Sequence, residues 1–249
     1  MTKEEKLELV QPVLDTFENE DIKEFAIVLL EGLPEYIWHV GASSTGKYHP
    51  AYSLGEGGLM RHQMAVVRFL NFFFELEQYN TKLTSREMDL MRLAGLVYDG
   101  RKSGSQEDYE KSKFTKFDHP IQMADAIRAY DGQYLNHEEI EMIAEIISAH
   151  MGQWCTDKKS KVELPKPSNK YARMVHLADY LASRKVLTMD FSDYASPKTE
   201  LPDINKHIVN FGKHKGKTLV EINEIDKGWI HWAKENINRH PEAALLKQL

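Results

Sequence analysis

The chain of 249 residues is predicted to be mostly α-helical, with a small α+β module at its C-terminus. Three observations carry that expectation. Apolar residues recur at helical spacing through most of residues 3–190, as Leu7, Val10, Leu14 and Phe17 do at the start. Two of these stripes open on a capping residue followed three positions later by glutamate, the reciprocal pattern that closes a helix N-terminus. After Leu187 the texture changes to the Pro- and Asp-rich "DFSDYASPKTELPDINK", which carries no helical stripe.

Residues 3–40 hold two helices, interrupted at "EGLPEY", where Gly32 and Pro34 break the pattern. "GASSTGKYHPAYSLGEGG" fits neither periodicity and reads as a loop feeding the long buried helix "LMRHQMAVVRFLNFFFELEQY". Thr84 and Glu87 form a capping box that starts the next helix, so Tyr98 and Asp99 fall at its C-terminal end. Residues 100–118 read as a loop rich in Gly, Ser and Lys. "HPIQMADAIRAYDG" resumes helical spacing until a turn at Asp131-Gly132. Asn136 and Glu139 cap "EEIEMIAEIISAHMGQW", and the loop "CTDKKSKVELPKPSNK" separates it from "YARMVHLADYLASRKVL". The domain organisation that follows is a helical body over 1–190, a linker over 191–204 and a module over 205–249. The module reads as a strand, a Gly-Lys turn, a second short strand, then a helix carrying Trp229 and Trp232.

Composition narrows the chemistry. Apolar residues at 42% and charged residues at 28% suit a soluble protein, and no apolar run approaches the ~20 residues that span a bilayer. The acidic, amphipathic N-terminus lacks a signal-peptide pattern, so a cytoplasmic location is expected. Cys155 is the only cysteine, which excludes intrachain disulfides and leaves any metal to His and carboxylate ligands. Eleven histidines supply them. The net charge of −6 argues against a wholly basic nucleic-acid-binding surface, although residues 205–249 carry eight Lys/Arg against five Asp/Glu.

His62, Asp99, His119, His150 and Asp179 come from five successive helical segments, with His49 in the glycine-rich loop. A single His on an apolar helix is more often a hydrogen-bonded core residue than a ligand. Five such residues from successive helices are what a bundle uses to aim ligands at one point, and a divalent cation is a common way to offset a buried carboxylate.

The blocks "GEGGLMRHQMAVV", "LAGLVYDGRKSG", "FTKFDHPIQMADAI", "IISAHMGQW" and "VHLADYLASRK" resemble, in order and spacing, those of the HD-domain metal-dependent phosphohydrolase superfamily. The likeness covers roughly residues 45–190. It is nearest to phage-type HD proteins and to the HD domain of bacterial 3′–5′ exoribonucleases. The resemblance implies an HD-type helical bundle with His62, Asp99, His119, His150 and Asp179 as metal ligands. It also implies a catalytic role for Asp99 and Lys102, and one or two divalent ions (Mn²⁺, Mg²⁺ or another transition metal). His49 falls where exoribonuclease-like members carry a histidine, and Lys102 follows the doublet as a group that neutralises substrate phosphate. Gln153 and Arg184 are candidate substrate contacts, each with a plain alternative in packing or in a solvated helix end.

Tyr98 departs from that pattern, because it stands where the histidine of the His-Asp doublet belongs. A neutral phenol with a pKa near 10 is a poor ligand at neutral pH. Three readings stay open: an ion on His62, Asp99 and Asp179 with waters; an ion on Asp99, His119 and His150; or no ion and a binding scaffold. The expected activity is hydrolysis of phosphate esters in nucleic acid. A nucleotide phosphohydrolase and a non-catalytic binding module are the alternatives.

"FGKHKGKTLVEI" with "GWIHWAKEN" resembles the C-terminal domain that follows some exodeoxyribonucleases, including exodeoxyribonuclease X. On a strand, Lys213, Lys215 and Lys217 would leave one face about 6.6 Å apart, close to the spacing of successive phosphates. Phe211, Trp229 and Trp232 would either stack on bases or fill the core that so small a module needs.

Overall fold

The computed structural model describes residues 1–43, 46–157, 161–191, 202–237 and 241–249, and it is mostly helical. The linker expected over 191–204 lies largely outside the described residues. Helices α1 (Lys3–Leu14) and α2 (Glu20–Glu31) lead into a 3₁₀ turn at Glu35–Trp38. Then come α3 (Gly58–Glu75), the single-turn α4 (Glu77–Asn80), α5 (Ser85–Val97), α6 (Gln106–Lys111), α7 (His119–Arg128), α8 (His137–Ser148) and α9 (Lys170–Ala182). Thr84–Glu87 and Asn136–Glu139 form reciprocal capping boxes at α5 and α8, as their spacing predicts.

Helix α3 lies between α5 and α9, α8 packs on α5 and α7, and α2 covers α5. Their apolar faces share one core that includes Val10, Phe25, Trp38, Leu70, Leu93, Ile127, Ile143 and Val175. The Gly-Gly that precedes α3 has a steric reason. A Cβ on Gly58 would lie 2.5 Å from the Ser53 carbonyl oxygen, so only glycine lets the loop close against the start of α3. That closure sets the first turn of α3, and with it His62.

Two expectations are corrected. The 100–118 loop contains α6, because Ser105 and Asp108 form a third capping box within a stretch whose Gly and Lys content masked it. The C-terminal module is not α+β among the described residues. Its hairpin amounts to one antiparallel bridge, Ile208 to Thr218, and the expected second strand is α10 (Leu219–Ile225). Thr218 and Glu221 cap α10 reciprocally, and that local closure prevails over the β-branched composition. Helices α11 (Lys227–Asn236) and α12 (Glu242–Leu246) follow. The module has its own core of Val209, Leu219, Ile222, Trp229, Ile230, Ala233, Ile237, Leu245 and Leu246. Among the described residues no helix is long and apolar enough to cross a membrane.

Candidate metal centre

Asp99 follows the last turn of α5, where Tyr98 closes the helix by donating its N–H to the Ala94 carbonyl. The carboxylate is 2% exposed. The Asp99 backbone N–H donates to Gln63 Oε1 of α3 at 3.2 Å, and Lys102 Nζ donates to Asp99 Oδ2 at 2.6 Å. Burial opposes ionisation. The ammonium of Lys102 outweighs it and holds the carboxyl well below the ordinary carboxylate range. The other oxygen, Oδ1, is buried and has no hydrogen-bond partner.

That oxygen faces two imidazoles. His119 begins α7 and His150 lies just past α8, and both are 2% exposed. His119 Nδ1 donates to the Lys116 carbonyl at 2.6 Å, and His150 Nδ1 donates to the Ile147 carbonyl at 2.8 Å. A carbonyl can only accept, so each Nδ1 carries a proton and each ring turns its Nε2 toward Asp99. The two Nε2 atoms lie 2.9 Å (His119) and 3.7 Å (His150) from Asp99 Oδ1. Burial pushes His150 down to about 4, so its ring is neutral at pH 7.

A buried carboxylate oxygen and two Nε2 atoms that face one another need positive charge between them, which a bound metal ion supplies. Their ligand atoms all fall within 4.8 Å of one another. The separations of 2.9 and 3.7 Å from Asp99 Oδ1 are short enough for one ion to be shared among the three residues. The residues present therefore fit a metal ion, and the unpartnered Oδ1 is where it would bind.

The remaining predicted ligands pair with each other, and the buried His62 Nδ1 has no hydrogen-bond partner. His62 Nε2 lies 3.0 Å from Asp179 Oδ1, and the Tyr98 hydroxyl donates to the same oxygen at 2.9 Å. Burial, then the charges of Asp179 and Asp99, push the Tyr98 phenol well above its ordinary pKa, so it stays protonated and acts as a donor. The rings connect the two arrangements: Tyr98 lies 4.6 Å from His150, centroid to centroid, and 6.4 Å from His62. His62 and Asp179 thus belong to the same cluster but outside the three-residue ligand group.

The other predicted residues divide. His49 sits 5.3 Å from the His62 ring, and burial, reinforced by His62 and Lys102, lowers it to about 4. Lys102 is held by Asp99. Gln153 is exposed, and the Arg184 guanidinium rests over Tyr180 at 4.3 Å and bonds Ser183 Oγ at 2.8 Å. The lysine ladder is corrected. A 3₁₀ turn at Gly212–His214 and a positive φ at Gly216 interrupt the extended chain, and Lys213 pairs with Asp226 at 2.6 Å. Trp229 is in the module core, whereas Trp232 is half-exposed. Gln63 and the carbonyls of Lys116 and Ile147 were invisible in the sequence, since amide and backbone partners have no periodicity.

The exodeoxyribonuclease X-like C-terminal family matches residues 209–238, which links this module to nuclease-related proteins. No curated protein and no solved structure matches the chain.

Proposed function

We propose that this chain is a metal-dependent phosphohydrolase of the HD type that cleaves phosphodiesters in nucleic acid. The observation that carries the reading is the unpartnered Asp99 Oδ1 facing Nε2 of His119 and of His150. These three residues would hold the ion. An imidazole-rich donor set with one carboxylate suits a first-row transition ion better than Ca²⁺. Bound there, such an ion supplies Lewis acidity toward a phosphoryl oxygen and lowers the pKa of water.

The chain's own groups do the rest. Lys102 balances the Asp99 charge and lies at the rim, with 18% of its side chain exposed, where it can share its ammonium with an incoming phosphate. His49, neutral at pH 7, offers a hydrogen bond instead of a second charge. Tyr98 keeps its proton on the hydroxyl and holds Asp179 against His62. In this reading residues 1–190 form the hydrolytic body and 205–249 an accessory module, joined through 191–204. Lys215 and Lys217, exposed on the module, supply phosphate contacts.

The test is hydrolysis of bis(p-nitrophenyl) phosphate and of short oligonucleotides with Mn²⁺, Mg²⁺, Co²⁺ or Ni²⁺. Turnover that disappears in Asp99→Asn supports the proposal. The Tyr98 hydroxyl, bound to Asp179 where a histidine would offer a ligand, favours a second reading, a scaffold that binds nucleic acid without cleaving it. Ion binding with no turnover of any substrate selects that reading. Replacing Lys213, Lys215 and Lys217 together by alanine should weaken polymer binding in a salt-dependent way while small-substrate turnover persists.

A further inference from the structure

A stacked aromatic pair stands beside the metal centre and has no role in it. Trp154 is 46% exposed, unusual for the largest apolar side chain so close to a buried cluster. Its ring lies nearly parallel to that of Tyr180, at 13° and 6.0 Å between centroids. The Arg184 guanidinium sits over Tyr180 at 4.3 Å, and the exposed Lys185 follows.

Trp154 is held in place. Gly152 has φ 57°, and a Cβ there would collide with the His176 imidazole, so glycine permits the turn that lays Trp154 onto α9. On the other side, Cys155 is buried, its carbonyl accepts the Leu164 N–H at 2.9 Å, and Thr156 bridges to Glu163. An exposed ring fixed from both sides loses little conformational freedom when something stacks on it.

The pair is also tied to both parts of the cluster. His176 packs edge-on to Trp154 at 6.3 Å and donates from Nδ1 to the His150 carbonyl at 2.7 Å. Tyr180 directly follows Asp179.

We propose that Trp154 and Tyr180 form a stacking platform for an unpaired nucleobase, with Arg184 and Lys185 facing the adjoining phosphate. The occupant follows from the chemistry: a π face beside two cations, next to a centre built for phosphate, matches one nucleotide of a single strand. The inference rests on the phosphodiester reading and deepens it by making the substrate single-stranded at that point.

The test uses the full chain in EDTA, so that nothing is cleaved, and measures binding of labelled oligodeoxythymidylate and oligouridylate by fluorescence anisotropy. Trp154→Leu should bind about 5- to 100-fold more weakly, and Trp154→Phe should recover most of the loss. An abasic oligomer of equal charge should bind the native protein and Trp154→Leu equally. A preference between the two oligomers tells DNA from RNA within the proposal. Equal affinity of native and Trp154→Leu protein for the base-bearing oligomers overturns it. So does an equal loss on the abasic oligomer, or no oligonucleotide binding by the native chain. Mn²⁺ titration of the same variants is the control for folding and keeps the two ideas apart. Failure of the native protein to bind Mn²⁺ removes the metal reading, whereas the anisotropy result stands by itself.

Discussion

Helix α5 carries a buried carboxylate in its first half and another just past its end, and the two are finished in opposite ways. Asp89 has no exposed surface, and both of its oxygens are satisfied. Oδ2 accepts the backbone N–H groups of Glu18 and Asn19 at 2.9 and 2.7 Å and the Asn19 side-chain amide at 2.7 Å. Oδ1 accepts from Arg92 at 2.6 Å. Asp99 is equally hidden, yet its Oδ1 faces two imidazoles and has no hydrogen-bond partner. The difference teaches that burial of an acid does not mark a site. A buried acid with an unfilled oxygen among preset acceptors does, because the fold has oriented those groups without completing them.

The largest break in this comparison comes from Asp89→Ala. It strands Arg92 and three donors, so stability should fall by about 3–5 kcal/mol in chemical denaturation while the folded fraction binds Mn²⁺ normally. Asp99→Asn in EDTA should cost at least ~2 kcal/mol less than that, because the amide keeps an oxygen for Lys102 and turns its NH2 toward the facing imidazoles. Equal losses for the two variants would erase the distinction.

The pH dependence sharpens it. His150 titrates near 4 when folded and near 6.5 in the unfolded chain, so the unfolded state takes up the proton first. Metal-free stability is therefore fully present above pH 6.5 and falls as pH drops toward 4, by about 3 kcal/mol from this residue. His49 shifts in the same direction. Denaturant midpoints at pH 7 and pH 4.5 check this, and His150→Gln should flatten the slope.

A smaller effect is expected from Tyr98→Phe. It removes the hydrogen bond to Asp179 and should cost about 1 kcal/mol without changing metal stoichiometry. Tyr98→His replaces the phenol with a ligand and should let a second ion bind, read by elemental analysis. An unchanged stoichiometry in Tyr98→His would show that Tyr98 does not separate the two parts of the cluster.

Much of the helical body was legible because capping boxes and apolar stripes act locally: Thr84 with Glu87 and Asn136 with Glu139 place α5 and α8 without reference to anything distant. The same logic was available for α6 and α10 through Ser105–Asp108 and Thr218–Glu221. There, loop-like composition and β-branched residues concealed it. The residues that crowd around Asp99 stood out as polar groups on apolar segments. Their division did not, because it depends on contacts such as Tyr98 to Asp179, 81 positions apart, that no periodicity encodes. Asp89 was not legible as the counterpart of Asp99 for the same reason: Arg92 is near in sequence, but the donors to its other oxygen lie 70 and 71 positions away.

The most direct test is calorimetric titration of the EDTA-stripped protein with Mn²⁺ and Zn²⁺, native beside Asp99→Asn and Asp89→Asn. The account predicts saturable binding by the native chain, affinity lowered by more than about 100-fold in Asp99→Asn, and native-like affinity in whatever fraction of Asp89→Asn remains folded. Native-like binding by folded Asp99→Asn, or no binding by the native protein, contradicts it.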